Sequence, residues 1–252
     1  MKTLKLFAIA VSAFFIISCN NQNSNQKCAG CQGDSIAQSD CSACQKSEAC
    51  SAEKSNCNNK AMKKFQKKYT NADFYVNGKF SQEVAMKAMR EMLAFYDIPF
   101  TPFMEANFWV TDFGIGDFEN AGMGGIFWVN DAEHGYFAHC IYLLPNQMIP
   151  EHAHVKTKFP AKFESWMVEK GWCYNFSEVG EATPNAPQFP ESQKDAIKSK
   201  NFVRQNAGEI VHLKKIETFH FLFAGDEGAI VSEYACYHDA AGLRFTNKKC
   251  AL

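Results

Sequence analysis

From residue 69 onward the apolar positions follow two periods. In Ser81–Tyr96 (SQEVAMKAMREMLAFY), Val84, Met86, Met89, Met92 and Leu93 recur largely at helical spacing, which predicts an amphipathic helix. Ser81 can cap its start with Glu83 close by, and Pro99 and Pro102 are expected to stop it. The methionines read as a core-packing face. After Asn107 the pattern changes to short β-branched and aromatic runs: 108–113, 125–130, 136–144, 163–176, 209–213, 220–225 and 229–237. Turn residues separate them. Residues 180–200 contain Pro184, Pro187 and Pro190 and read as a long surface loop ending in a short helix at 191–200. The predicted class is mainly β, a sandwich or small barrel with a few peripheral helices.

The first 68 residues follow neither period. Lys2 and Lys5 precede an apolar stretch, Leu6 to Ile17, that is too short to span a bilayer and reads as an export signal. Its end, Ile16-Ile17-Ser18-Cys19, resembles the lipobox of bacterial lipoproteins. That resemblance implies cleavage before Cys19 and acylation of Cys19. With Asn20 rather than Asp following, it also implies delivery to the outer membrane of a Gram-negative cell envelope. Residues 20–68 are mostly small and polar and cannot bury enough apolar surface to fold alone, so they read as a tether. The tether carries Cys28, Cys31, Cys41, Cys44, Cys50 and Cys57. The two C-x-x-C pairs have zinc-site spacing, but an exported context ranks disulfides first, a small metal knot second and free thiols third. Lys60–Lys68 reads as a basic, helical lead-in. The division is therefore 1–19 signal, 20–68 tether and 69–252 folded domain.

Composition narrows the function. A chain of 252 residues with 46% hydrophobic content allows one medium domain with appendages. A net charge of −1 excludes a basic footprint for nucleic acid, and no polybasic patch marks a membrane surface, leaving the lipid anchor as the only membrane contact. The 23 phenylalanines suit a β-rich core.

Candidate chemistry concentrates in residues 150–171, PEHAHVKTKFPAKFESWMVEKG. In a strand, His152 and His154 point to the same face and can share a metal ion. Glu164, beyond Pro160, can return on a second strand as an oxygen ligand, and the stretch from Gly208 to His220 supplies a third imidazole. Three imidazoles and one carboxylate leave two positions open on a six-coordinate ion such as manganese, iron or cobalt. Each residue also has a plainer reading: His152 and His154 as exposed strand residues, Lys162 and Glu164 as a solvated hairpin, Asp239 as a turn cap. Glu233 stands among apolar residues and needs a partner there, either Arg244 or a ligand. His212 and His238 read as structural or exposed. Cys140, Cys173, Cys236 and Cys250 read as core thiols or disulfides, not nucleophiles.

The order His152-x-His154, Glu164, Gly171, Gly208, His220 resembles the cupin superfamily of jelly-roll barrels, in which three histidines and a glutamate hold a divalent metal. Glu164 and Gly171 keep the six-residue spacing of the first cupin motif. Asn146 stands where that motif has its first glycine, and nine residues separate His154 from Glu164, implying a longer hairpin. Residues 140–247 more closely resemble the D-lyxose isomerase family, through His152-x-His154, Lys162-x-Glu164, His220, Val231-Ser232-Glu233, Asp239 and Arg244-Phe245. The resemblance implies a small sugar substrate, aldose–ketose isomerisation, and a divalent metal on His152, His154, Glu164 and His220, with Mn2+ favoured over Fe2+, Co2+ or Zn2+. Lys162 and Glu233 become the acid–base pair, with the cation lowering the Lys162 pKa toward that of a usable base. Asp239 and Arg244 become contacts to sugar hydroxyls, and Trp166, Trp172 or Tyr174 an apolar wall. A homodimer is the expected assembly. A cupin oxygenase using iron and a non-catalytic carbohydrate-binding cupin are the alternatives. Export sits awkwardly with sugar metabolism, which is normally cytoplasmic.

Overall fold

The computed structural model describes residues 64–252; the expected signal and lipidation residue Cys19, and nearly all of the tether, lie outside them. Residues 64–70 are irregular, not helical, yet Phe65 is already buried against the helical face, so the folded domain begins a little before residue 69. Next come α1 (Asn71–Phe74) and a hairpin of β1 (Tyr75–Val76) and β2 (Lys79–Phe80). Asn77 and Gly78 supply the two positive φ values its tight turn requires. The helix α2 (Gln82–Phe95) begins as expected, with the Ser81 hydroxyl accepting from Val84 N. Its Ala85, Ala88, Met89, Met92 and Leu93 are buried. Pro102 starts a further helix, α3 (Pro102–Asn107), because proline is tolerated at a first helical position and Thr101 caps it.

The remaining strands are β3 (Trp109–Thr111), β4 (Met123–Asp131), β5 (Tyr136–Leu143), β6 (His152–His154), β7 (Glu164–Ser177), β8 (Asn201–Asn206), β9 (Ile210–His212), β10 (His220–Cys236) and β11 (Leu243–Phe245). They form one nine-stranded antiparallel sheet. Residues 191–200, expected to be helical, form turns. Ser192 is tied to Asp117 at 2.6 Å and Asn247 binds the Ser192 carbonyl at 3.0 Å, tertiary bonds that compete with helix formation.

The two long strands β7 and β10 make the sheet curl. They pair along most of their length but bend together where Gly171 and Gly228 meet, with a register shift between Ala224 and Ala229. Beyond the bend each changes partner. β10 pairs β5 over Ala229–Cys236 and reaches β6 at His220; β7 pairs β9 over Ser165–Met167 and β8 over Trp172–Ser177. The sequence runs 220–225 and 229–237, expected as two strands, are one strand through this corner.

Strand parity divides the faces. On β5, Cys140 and Tyr142 pack with the helical cluster of Met89, Met92 and Phe108. Ile141 and Leu143 pack instead with Val168, Leu222 and Val231. A third cluster is aromatic, with Phe176 stacked on Phe221 at 4.4 Å. The architecture is therefore mainly β, a curled antiparallel sheet with peripheral helices. Among the described residues no helix is long and apolar enough to cross a membrane.

The corner is sterically exacting. Gly171 has φ +67°, and a Cβ there would stand 2.1 Å from the Gly228 carbonyl oxygen. Gly171→Ala should therefore destabilise the domain by ~2 kcal/mol or more; urea unfolding would show a lower midpoint at an unchanged m-value.

Candidate metal centre and its cavity

Three strands bring four side chains to one buried point. His152 and His154 flank the inverted Ala153 on β6, Glu164 opens β7, and His220 opens β10 directly across from His152. The ring centroids of His152 lie 5.1 Å from His154 and 4.7 Å from His220. One nitrogen from each of the three imidazoles lies within 4.8 Å of the others, close enough to hold a single metal ion. Glu164 lies beside them: Oε1 is 3.4 Å from His154 Nε2 and Oε2 is 3.1 Å from His220 Nε2. Asn146, at the position of the motif glycine, has φ +58°, the left-handed conformation a glycine would adopt.

The protonation pattern favours a cation there. His152 Nδ1 donates to the Pro150 carbonyl at 2.9 Å and His220 Nδ1 to the Thr218 carbonyl at 3.0 Å. Because a carbonyl can only accept, both Nδ1 atoms carry hydrogen and both Nε2 atoms are left for a ligand, the usual arrangement behind metal-bound histidine. His220 Nε2 and Glu164 Oε2 are buried without a hydrogen-bond partner. Two lone pairs facing each other at that separation need a positive centre between them, a metal ion or, in its absence, a proton on His220. The charge balance agrees: two buried carboxylates, Glu164 and Glu233, face one ammonium, Lys162. The residues present therefore fit a divalent metal.

The titration tendencies follow from the same crowding. Burial, joined by the neighbouring imidazoles, pushes His152 well below the usual histidine range. Burial also opposes charge on His220, but Glu164 outweighs it and raises that pKa. For Glu164, burial favours the neutral acid, but Lys162, His154 and His220 hold the carboxyl well below the usual range.

Beside this point lies a second charged group. Lys162 Nζ donates to Glu164 Oε1 at 3.0 Å and to Glu233 Oε1, and sits 4.3 Å from the centre of the Phe137 ring. Burial disfavours the ammonium, but Glu164 and Glu233 outweigh it and raise its pKa. Glu233 is likewise opposed by burial and held low, chiefly by Lys162. Its other oxygen accepts from His139 Nδ1 at 3.1 Å.

All these groups line a cavity of about 350 Å3 whose remaining wall is largely apolar, including Trp109, Phe137, Trp166 and Phe245. Its volume is that of a small-molecule pocket. Of the three aromatic walls considered from sequence, Trp166 lines it; Trp172 bonds Asp226 and stacks under Arg204, and Tyr174 packs in the aromatic cluster.

Asp239 and Arg244 do not reach the cavity. Asp239 accepts from Thr157 Oγ1 at 2.6 Å and from Ala241 N at 3.1 Å, capping the short 3-10 turn Ala240–Gly242. On β11, Leu243 and Phe245 line the cavity, so alternation sends Arg244 outward, where its guanidinium bonds the Ala241 and Leu243 carbonyls. Glu233 accordingly finds its partners in Lys162 and His139 instead of Arg244. His212 is exposed, as expected. His238 packs on Phe137 and lines the cavity, and burial with nearby Lys162 lowers its pKa to about 3. His139 was missed; its signal was a histidine sharing parity with Ile141 and Leu143 in an apolar run. Cys140, Cys173, Cys236 and Cys250 are free thiols, the first two buried.

No protein-family model matches the chain. It is 35% identical over 171 residues to the D-lyxose/D-mannose isomerase of Thermosediminibacter oceani, an alignment covering 67% of this chain and 90% of that protein. It is 33% identical over 128 residues to the D-lyxose ketol-isomerase of a Thermofilum species, covering 50% of this chain and 69% of that one. The solved L-ribose isomerase of Acinetobacter sp. DL28, in complex with L-ribose, superposes with a TM-score of 0.53 at 16% identity, covering 73% of this chain and 95% of that one. The structural likeness supports the cupin-type fold.

Metal analysis gives the direct check on this centre. The protein should bind about one equivalent of divalent ion, and His152→Ala or His220→Ala should weaken binding by at least ~10-fold. Added ion should raise the midpoint of thermal unfolding of the unmodified protein but not of either variant.

Proposed function

The chain belongs to the D-lyxose isomerase family of sugar isomerases, and from that premise we propose that its cupin-type domain is a metal-dependent aldose–ketose isomerase. One observation carries the reading: three imidazoles and Glu164 meet at a buried point that favours a cation, with Lys162 and Glu233 beside it in one cavity. D-lyxose and D-mannose, for which the Thermosediminibacter relative is named, are the proposed substrates.

Held by His152, His154, Glu164 and His220, a divalent ion, Mn2+ in preference to Fe2+, Co2+ or Zn2+, would polarise the sugar carbonyl and its neighbouring hydroxyl. The isomerisation moves one proton between adjacent carbons and one between their oxygens, with no net change in composition. Glu233, ionised and in contact with the Lys162 ammonium, is assigned the carbon-bound proton, taking it from one carbon and returning it to the next. Lys162, gripped by two carboxylates, is assigned the oxygen-bound proton, donating it to the carbonyl oxygen and recovering one from the adjacent hydroxyl. Trp109, Phe137, Trp166 and Phe245 exclude water and offer apolar faces to the C–H side of the sugar. Asp239 and Arg244, being outside the cavity, are given no part in the reaction.

The same proposal places the domain at the outer membrane of a Gram-negative cell, held by an acylated Cys19. Its support is the charged start, the apolar stretch and the Ser18-Cys19 junction of the first twenty residues. Labelled palmitate should be incorporated by cells expressing the chain and lost with Cys19→Ala.

Incubation of the Mn2+-loaded protein with D-lyxose or D-mannose should yield D-xylulose or D-fructose, followed by chromatography. Glu233→Gln should lower kcat by ~100-fold or more with bound metal retained. Absence of interconversion across the aldopentoses and aldohexoses would overturn the reading.

A further inference from the structure

The isomerase reading leaves His139 without a role, although it is one of the most tightly held polar residues of the cavity. It lies on β5 directly across from Glu233 on β10, and its Nδ1 is 3.1 Å from Glu233 Oε2. An ionised carboxylate only accepts, so Nδ1 carries the hydrogen and Nε2 is bare. Nε2 is buried and has no hydrogen-bond partner, which leaves Glu233 as the ring's one polar contact among the described residues.

Packing fixes the ring as firmly as the bond does. It stacks on Trp109 at 5.5 Å and 20°, and meets Phe127 edge-on at 4.9 Å and Phe137 at 5.5 Å. Across the sheet stands Gly125, where a Cβ would come within 2.5 Å of His139 Nε2 and of the Trp109 ring. The glycine is what lets the imidazole and indole lie flat against β4.

The two partners of Glu233 therefore differ in kind. Lys162 has a long flexible stem and further contacts, to Glu164 Oε1 and to the Phe137 ring, so it can release Glu233 Oε1 without being stranded. His139 has no alternative partner and no room to turn.

We propose that His139 is a positioning residue that anchors Glu233 through Oε2, so that Oε1 stays aimed at the substrate when Lys162 lets it go. This deepens the isomerase reading and rests on it. His139 touches no reacting atom; its effect passes through the carboxylate it holds. Without that anchor the Glu233 carboxylate would be free to turn about its terminal bond, and Oε1 would lose its fixed aim.

The test uses the Mn2+-loaded full chain and whichever aldose it turns over. His139→Leu should lower kcat by ~10- to 100-fold, the cost of misplacing a reacting group by about an ångström, with KM and bound metal within about twofold of the parent. His139→Asn, whose amide N–H can stand where Nδ1–H stood, should recover most of that loss. In a Glu233→Gln background, His139→Leu should have no further effect on kcat. Equal losses in the Leu and Asn variants, loss of bound metal, or additive losses in the double variant would each overturn the proposal. Nitrogen NMR of the unmodified protein provides a readout independent of activity and of how the variants fold. His139 should be the Nδ1–H tautomer, and finding the hydrogen on Nε2 would overturn the anchor outright. An unmodified chain that binds metal but isomerises no aldose would overturn the isomerase reading itself, a result distinct from a normal parent rate with an unchanged His139→Leu kcat.

Discussion

Everything at the centre of this domain depends on placing two carboxylates inside the apolar hollow of a curled sheet. Glu164 and Glu233 are each almost wholly buried, as is the single lysine between them. Burying one unpaired charge costs several kcal/mol, enough to consume much of a domain's stability. One ammonium cannot neutralise two carboxylates, so the balance falls to a cation among the imidazole Nε2 atoms or, without one, to a proton on His220, whose pKa Glu164 raises. The arrangement is consistent with a centre completed by a cation. The same electrostatics that make the site costly without an ion make it selective for one.

The fold meets this requirement with geometry more than with unusual residues. β7 and β10 each run through the corner at Gly171 and Gly228, so one strand contributes Glu164 at its start while the other contributes His220 at its start and Glu233 near its end. The bend brings the two ends of β10, thirteen residues apart, onto one cavity. Parity then sorts the neighbours: Ala153 turns away between two histidines, Arg244 turns away between Leu243 and Phe245, and Tyr142 faces the helix while His139 and Ile141 face the pocket. A one-residue slip in β6 or β11 would reverse these assignments.

Much of the site was readable because it obeys short-range rules. His152 and His154 are two apart on a strand, so local periodicity alone places them on a common face, and Lys162 stands two residues before Glu164, just ahead of β7. The helix α2 was equally legible, since three- and four-residue spacing needs no knowledge of partners. Pro102 misled because proline ends one helix and begins another with equal ease, and only the Thr101 cap distinguishes the outcomes. Asp239 and Arg244 are chemically apt for a sugar but bind the backbone and Thr157 instead, because neither their residue type nor their order in the chain says which way a side chain faces. His139 was passed over because nothing within YFAHCIYLL announces that its cross-strand neighbour, 94 residues later, is a carboxylate.

The sequence by itself determined the class of the fold, the helical face, the candidate ligands and the likeness to sugar isomerases, because those depend on residue type and on spacing of a few positions. Tertiary structure alone decided which carboxylate pairs with which base and which residues of the C-terminal strand look inward. Those outcomes depend on distances between segments separated by tens of residues, and on a field summed over all of them. A charge seen in sequence has no sign of its neighbours; a charge seen in the folded cavity is defined by them.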